Sequence, residues 1–183
     1  MLKKVLIGVG VLILIIAIGL MYMNNRNRIL SPPGEEVYQK NDFTISVNYS
    51  RPSVKGRLIF GAKTDGALQP YGTYWRLGAN ESTKISLNED VLFNGEELNA
   101  GTYKVYAVPG ADSFMITVNS DYDTWGAFEP DYSKDLFTTE VPVNYLTEPM
   151  EQFTVSITDA SDGGALLYFT WSDVELEIPI VQR

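Results

Sequence analysis

The chain has 183 residues, a formal net charge of −9, no cysteine and no histidine. The two missing side chains exclude a disulfide framework, a thiolate metal site, a cysteine nucleophile, a Ser-His-Asp triad and histidine-bound zinc. The acidic balance argues against nucleic acid as a partner, and the length allows one domain of ordinary size once an N-terminal apolar stretch is set aside.

Residues 1–4 form a short flank carrying Lys3 and Lys4. Val5 to Met23 follows without a single charge and is apolar all round, unlike the one-sided pattern of a soluble helix. At about 1.5 Å per residue it reaches roughly 28 Å as a helix, close to the bilayer core of about 30 Å. Ala17-Ile18-Gly19 has the small-x-small form of a cleavage site, but apolar residues continue through Met23. Cleaved signal cores usually run only about 7 to 15 residues, so an uncleaved anchor is expected, with the membrane as a partner through residues 5–23. Lys3, Lys4 and the N-terminus outweigh Arg26 and Arg28 slightly, which predicts a domain facing the periplasm or the cell exterior. Residues 24–41, with Ser31-Pro32-Pro33-Gly34, read as a tether, and 42–183 as the domain.

Phe43, Ile45, Val47 and Tyr49 alternate with polar residues, as in a half-buried strand, and Arg51-Pro52 ends it. Leu58–Gly61, Tyr74–Leu77 and Thr83–Leu87 are further strand candidates, with a Gly- and Pro-bearing loop over 63–72. Asn94-Gly95 suits both left-handed positions of a type I′ turn, predicting a hairpin between 91–93 and 96–98. Thr102–Val108 and Phe114–Val118 alternate again, and Leu98 to Tyr103 has the form of a tyrosine corner, against the alternative of an ordinary strand tyrosine. A polar loop or short helix covers 119–135. Strands over 138–143, 153–157, 166–171 and 174–178 follow, with turns at Gly163-Gly164 and Ser172-Asp173. Roughly nine or ten short strands with no amphipathic helix predict an all-β, antiparallel β-sandwich preceded by one transmembrane helix.

Charge is unevenly placed. Tyr49 to Lys84 holds six cations against two anions, whereas Ile85 to Arg183 holds three against 18. Within the basic island stand Tyr49-Ser50-Arg51-Pro52, Lys55-Gly56-Arg57, Ile59-Phe60-Gly61, Pro70-Tyr71-Gly72 and Trp75-Arg76-Leu77-Gly78-Ala79-Asn80-Glu81. With Asn94-Gly95, Ala100-Gly101-Thr102-Tyr103, Pro109-Gly110 and Trp125-Gly126, they resemble the signature of a bacterial family known as domain of unknown function 2911, mainly from the Bacteroidetes group. The resemblance covers about Asp42 to Ile180. It implies an exported domain but no mechanism, since the family has no established catalytic residues. The chain departs from the pattern in a longer Lys63–Leu68 loop and in an anchor-like N-terminus.

The candidate ligand-binding residues are Arg51, Lys55, Arg57, Trp75, Arg76, Asn80 and Glu81. Arginine forks take carboxylates, phosphates and sulfates, glycines at 56, 61 and 78 allow close approach, and Tyr49, Tyr71, Tyr74 and Trp75 offer flat faces. The competing reading is an internal brace, in which Arg51 or Arg76 pairs with Glu81 and bonds loop carbonyls. Asn119, Asp121 and Asp123 alternate like the first ligands of a calcium loop, but Thr124 and Pro130 stand where glycine and glutamate belong, so no metal or cofactor is expected. A Ser-Lys nucleophile from Ser50, Ser53 or Ser82 with Lys55 or Lys84 lacks supporting spacing. The leading expectation is a non-catalytic binding or envelope-interaction module for an anionic or sugar-like envelope ligand. The alternative is a carboxylate-dependent glycan hydrolase, with Glu81 the best single acid.

Overall fold

The computed structural model describes residues 2–124, 126, 128–161 and 163–183, with the side chains of Leu2 and Val5 left aside. Trp125 of the Trp125-Gly126 motif therefore lies outside the described residues. The chain opens with helix α1, Leu2–Leu30, of 29 residues. Within Leu6–Leu30 an 18-residue window has a mean hydropathy of 2.7; the span is long and apolar enough to cross a membrane, and none of that window is buried in the protein.

Among the described residues eleven strands follow: β1 (Pro33–Lys40), β2 (Phe43–Ser50), β3 (Phe60–Gly61), β4 (Gln69–Pro70), β5 (Thr83–Leu87), β6 (Val91–Phe93), β7 (Glu96–Leu98), β8 (Gly101–Val108), β9 (Ser113–Asn119), β10 (Asp135–Asp159) and β11 (Ala165–Gln182). Apart from the small parallel β3–β4 pair, they run antiparallel in the order β1-β2-β5-β8-β9-β10-β11-β6-β7. β10 belongs to two layers. Its first part, through Pro142, pairs with β9, and from Val143 onward it pairs with β11. The fold is thus the expected all-β sandwich after an N-terminal apolar helix.

The two layers meet through their apolar faces. Ile45, Val47, Ile85, Val105, Ile116 and Val118 from one side, and Phe153, Leu167, Phe169 and Ile178 from the other, are buried. An aromatic cluster fills the centre: Trp75 stacks on Trp171 at 5.8 Å, and Phe60 meets Trp75, Phe114 and Trp171 edge-on. Such edge and offset contacts add to the burial of apolar area.

Four local expectations change. Residues 24–41 are not an extended tether: the helix continues to Leu30, and 33–40 pair fully with β2 through a tight turn at Asn41, whose φ is 54°. This strand was hidden because its exposure alternates between exposed and half-buried, so no apolar period marks it. The predicted strands 138–143 and 153–157 are the ends of the single 25-residue β10, joined through register shifts around Met150. The predicted turn at Ser172-Asp173 is a bulged irregularity within the β10–β11 pair: Ser172 has φ 57°, and the register shifts on either side of its pairing with Met150. The bulge moves the buried positions from Leu167, Phe169 and Trp171 to Val174, Leu176 and Ile178, so both halves face the core. Tyr74–Leu77 forms only an isolated bridge, Trp75 to Ala107, because the backbone turns left-handed at Leu77.

Two turn signals act as expected. Asn94 and Gly95, with φ of 49° and 87°, close the β6–β7 hairpin. The Tyr103 hydroxyl donates to the Asn99 carbonyl at 2.9 Å, which completes the tyrosine corner. Replacing it, as Tyr103→Phe, removes one solvent-accessible hydrogen bond and is expected to lower stability by about 1 kcal/mol in urea unfolding, with an unchanged slope. No loss of stability would mean that the corner bond contributes nothing.

Candidate functional site

Two loops carry the basic island. The first runs from Pro52 to Arg57 and is held against β10: Val54 N–H donates to Glu151 O at 2.7 Å and Phe153 N–H to Pro52 O at 2.9 Å. Lys55 and Gly56, with φ of 49° and 70°, reverse the chain there. Arg57 uses Nε and Nη2 to bond the carbonyls of Val54 and Ser53, so part of its fork braces its own loop.

The second loop runs from Arg76 to Ser82. Left-handed backbone at Leu77 and Asn80, and φ of 140° at Gly78, fold it back. Trp75 Nε1 donates to Gly78 O, and Thr83 Oγ1 donates to Leu77 O. A Cβ on Gly78 would stand 2.8 Å from Ser50 O, so this position needs glycine for space as well as for φ. Behind the loop, a Cβ on Gly126 would lie 2.7 Å from Ser82 N and 2.8 Å from Glu81 C, so backbone packs directly on backbone. Ser82 Oγ donates to Thr124 O at 3.1 Å. Thr124 in turn accepts from Lys104, whose side chain is almost wholly buried. Burial lowers the Lys104 pKa, and the carboxylates of Asp121 and Asp135 partly oppose that shift.

The two loops and the end of α1 enclose a cleft of about 550 Å³. Lys55, Arg57, Trp75, Arg76 and Asn80 line it, together with Tyr74, Gln69 and Trp171. Asn27, Leu30 and Ser31 close it from the helix side. Asn80 ties that side in place by donating from Nδ2 to Ser31 O at 3.2 Å and to Asn27 O at 3.4 Å.

Five of the seven sequence-predicted residues are therefore brought together, and two are not. Arg51 points to the other layer, where Nε approaches Phe153 O at 3.5 Å and Nη2 donates to Thr154 Oγ1 at 3.3 Å. Glu81 faces a second cavity of about 460 Å³, where it pairs with Arg28 and accepts from Ser50 Oγ at 3.4 Å. Neither arginine of the expected brace pairs with Glu81; Arg76 makes a single bond of 3.3 Å from Nη1 to Asn80 O. Trp75 and Tyr49 are buried in the core, so their faces are not open platforms. Among the lining residues missed by sequence are Gln69 and Leu68, which fall in the loop read over 63–72, Trp171, which alternates like any core residue of its strand, and Asn27, Leu30 and Ser31, which fall within the expected tether.

The cleft's electrostatics are unusual for this acidic chain. Among the described residues no Asp or Glu lines it, and Lys55, Arg57 and Arg76 take part in no ion pair. Two lining residues, Tyr74 and Trp171, carry buried polar atoms, Oη and Nε1, that have no partner. Burial pushes the Tyr74 pKa up to about 12, against the pull of Arg76. The calcium-like residues, by contrast, are used internally: Asn119 Nδ2 donates to Asp131 O and Asp135 Oδ1, and Asp121 pairs with Lys134. Among the described residues, no group of three or more acids is placed to hold a metal ion.

A family model described as a protein of unknown function (DUF2911) matches residues 31–180. The chain belongs to this family. No curated protein and no solved structure matches the chain. The DUF2911 match begins at Ser31, so it includes β1 as well as the region from Asp42 in which the resemblance was read. The cleft straddles its boundary: Asn27 and Leu30 precede the DUF2911 region, and the other lining residues lie within it.

The arginines should separate in a stability measurement. Arg51→Met removes bonds between the two layers and is expected to cost about 1 kcal/mol, or roughly 3 °C in Tm for a domain of this size. Arg76→Met, which loses one weak loop bond, is expected to cost less than about 0.5 kcal/mol. A loss in Arg76→Met as large as that in Arg51→Met would make Arg76 a brace.

Proposed function

We propose that this chain is a non-catalytic binding module, anchored in a membrane by α1, whose cleft takes a ligand bearing an anionic group. The observation that carries the reading is the trio Lys55, Arg57 and Arg76 in a cleft that no carboxylate lines among the described residues, in a chain of net charge −9. Unpaired cations beside low-dielectric walls focus positive potential outward, and a guanidinium with free N–H groups recognises phosphate, sulfate or carboxylate by charge-assisted hydrogen bonds. Asn80, Gln69 and Ser53 supply neutral polar groups for a sugar-like portion of such a ligand. The domain is expected on the periplasmic or outer face, following the small cationic excess before the apolar segment.

The hydrolase alternative has no comparable support. Acid–base glycoside cleavage needs two carboxyl groups flanking one bond. Among the described residues the cleft holds none, and the second cavity holds Glu81 alone, already engaged by Arg28.

Thermal shift of the full chain in a non-ionic detergent tests the binding reading. Phosphate, sulfate and glucuronate are expected to raise Tm, and glucose is not. A ligand at about one hundred times its Kd stabilises by about 2.7 kcal/mol, several degrees for a domain of this size. The shift should shrink with added sodium chloride and in Arg76→Met. Equal shifts in wild type and Arg76→Met, or none with any anion, would refute it.

A further inference from the structure

The cleft's position narrows the ligand class. Its helix-side wall is Asn27, Leu30 and Ser31, and the uninterrupted apolar run of α1 ends at Met23. At about 1.5 Å per residue, that wall stands roughly 6 to 12 Å beyond the end of the apolar run. The headgroup region of a bilayer is about 5 to 8 Å deep on each side, so Asn27 stands at its level, Leu30 and Ser31 stand a few ångströms above it, and the cleft lies at the outer edge of the headgroups.

Its rim has a matching apolar component. Leu30 and Leu68 line the cleft and are 41% and 39% exposed. Leu58, whose carbonyl accepts from Leu68 N–H at 3.0 Å, is 48% exposed. Cations inside and exposed leucines at the rim match a molecule with a phosphate and an acyl–glycerol portion better than a free anion. Arg26, one turn before Leu30 on the exposed stem, adds positive charge on the approach.

We infer that the cleft holds the phosphate headgroup of a glycerophospholipid drawn part-way out of the leaflet that α1 leaves, with Lys55 and Arg76 on the phosphate and Leu30 and Leu68 against the glycerol and first acyl carbons. This rests on the anion-binding reading above and specifies its source. Site and anchor then act together: the anchor supplies lipid at high local concentration, and the bound lipid fixes the domain close against the membrane.

The test is tryptophan fluorescence of the full chain in a maltoside detergent, since Trp75 and Trp171 line the cleft. The titrants are dihexanoyl phosphatidylglycerol, dihexanoyl glycerol and glycerol phosphate, against wild type and Arg76→Met. Saturable binding of the phospholipid, at least tenfold tighter than glycerol phosphate and roughly tenfold weaker in Arg76→Met, is the expected result. Equal binding of dihexanoyl glycerol, or no weakening in Arg76→Met, would overturn it as partition into the micelle. Glycerol phosphate binding as tightly as the lipid would overturn the lipid class and leave the anion reading standing. No response to any titrant would overturn both.

Discussion

The reversal of the chain between Leu77 and Asn80 is the constraint on which the site depends. Two left-handed residues and a glycine turn the backbone there, and the cost of that conformation is met by surroundings that leave no alternative. Trp75 and Thr83 bond its carbonyls from either end, Ser50 lies against Gly78, and Gly126 packs on its far side. The reversal sends neighbouring side chains in different directions: Trp75 into the core, Arg76 into the cleft, Asn80 to the helix stem and Glu81 to Arg28. Hydrogen bonds to the strands and the stem thus hold both loops that line the cleft.

The electrostatics follow from the same placement. Most acids of the chain lie on residues 85–183, and the ion pairs they make use Lys40, Lys84, Lys134 and Arg183 rather than the cations of the cleft. Arg28 occupies Glu81, the acid nearest Arg76 in sequence, so the cleft keeps its charge. The stem is therefore more than a spacer. Through Arg28, Asn27 and Ser31 it removes a competing carboxylate and closes one wall of the cleft.

Much of this was legible in the sequence where local chemistry decides structure. Period-two alternation marked β2, β8 and β9, Asn94-Gly95 marked its hairpin, and the spacing before Tyr103 marked the corner. The cluster of arginines and glycines identified two loops that do meet. What escaped depends on distant partners. β1 has no apolar period, and only its pairing with β2 makes it a strand. The bulge at Ser172 is written as a switch in the phase of buried residues from Trp171 to Val174, which also reads as a turn. Arg51 and Arg76 sit in similar motifs, yet one reaches across to Thr154 and the other into the cleft, a difference set by tertiary position alone. Asn27 and Ser31 carry no chemical signal of their own and matter only because Asn80 reaches their carbonyls.

The central claim is that stem and domain together build one cleft. The chain has no native cysteine, so a pair can be introduced without competing thiols. The direct measurement is crosslinking of an Asn27→Cys, Asn80→Cys variant by a short bismaleimide in membranes, beside an Asn27→Cys, Glu97→Cys control. Rapid, near-complete crosslinking of the first pair and none of the control is expected. Crosslinking no faster than the control would mean that the stem stands free of the domain, and would contradict the account.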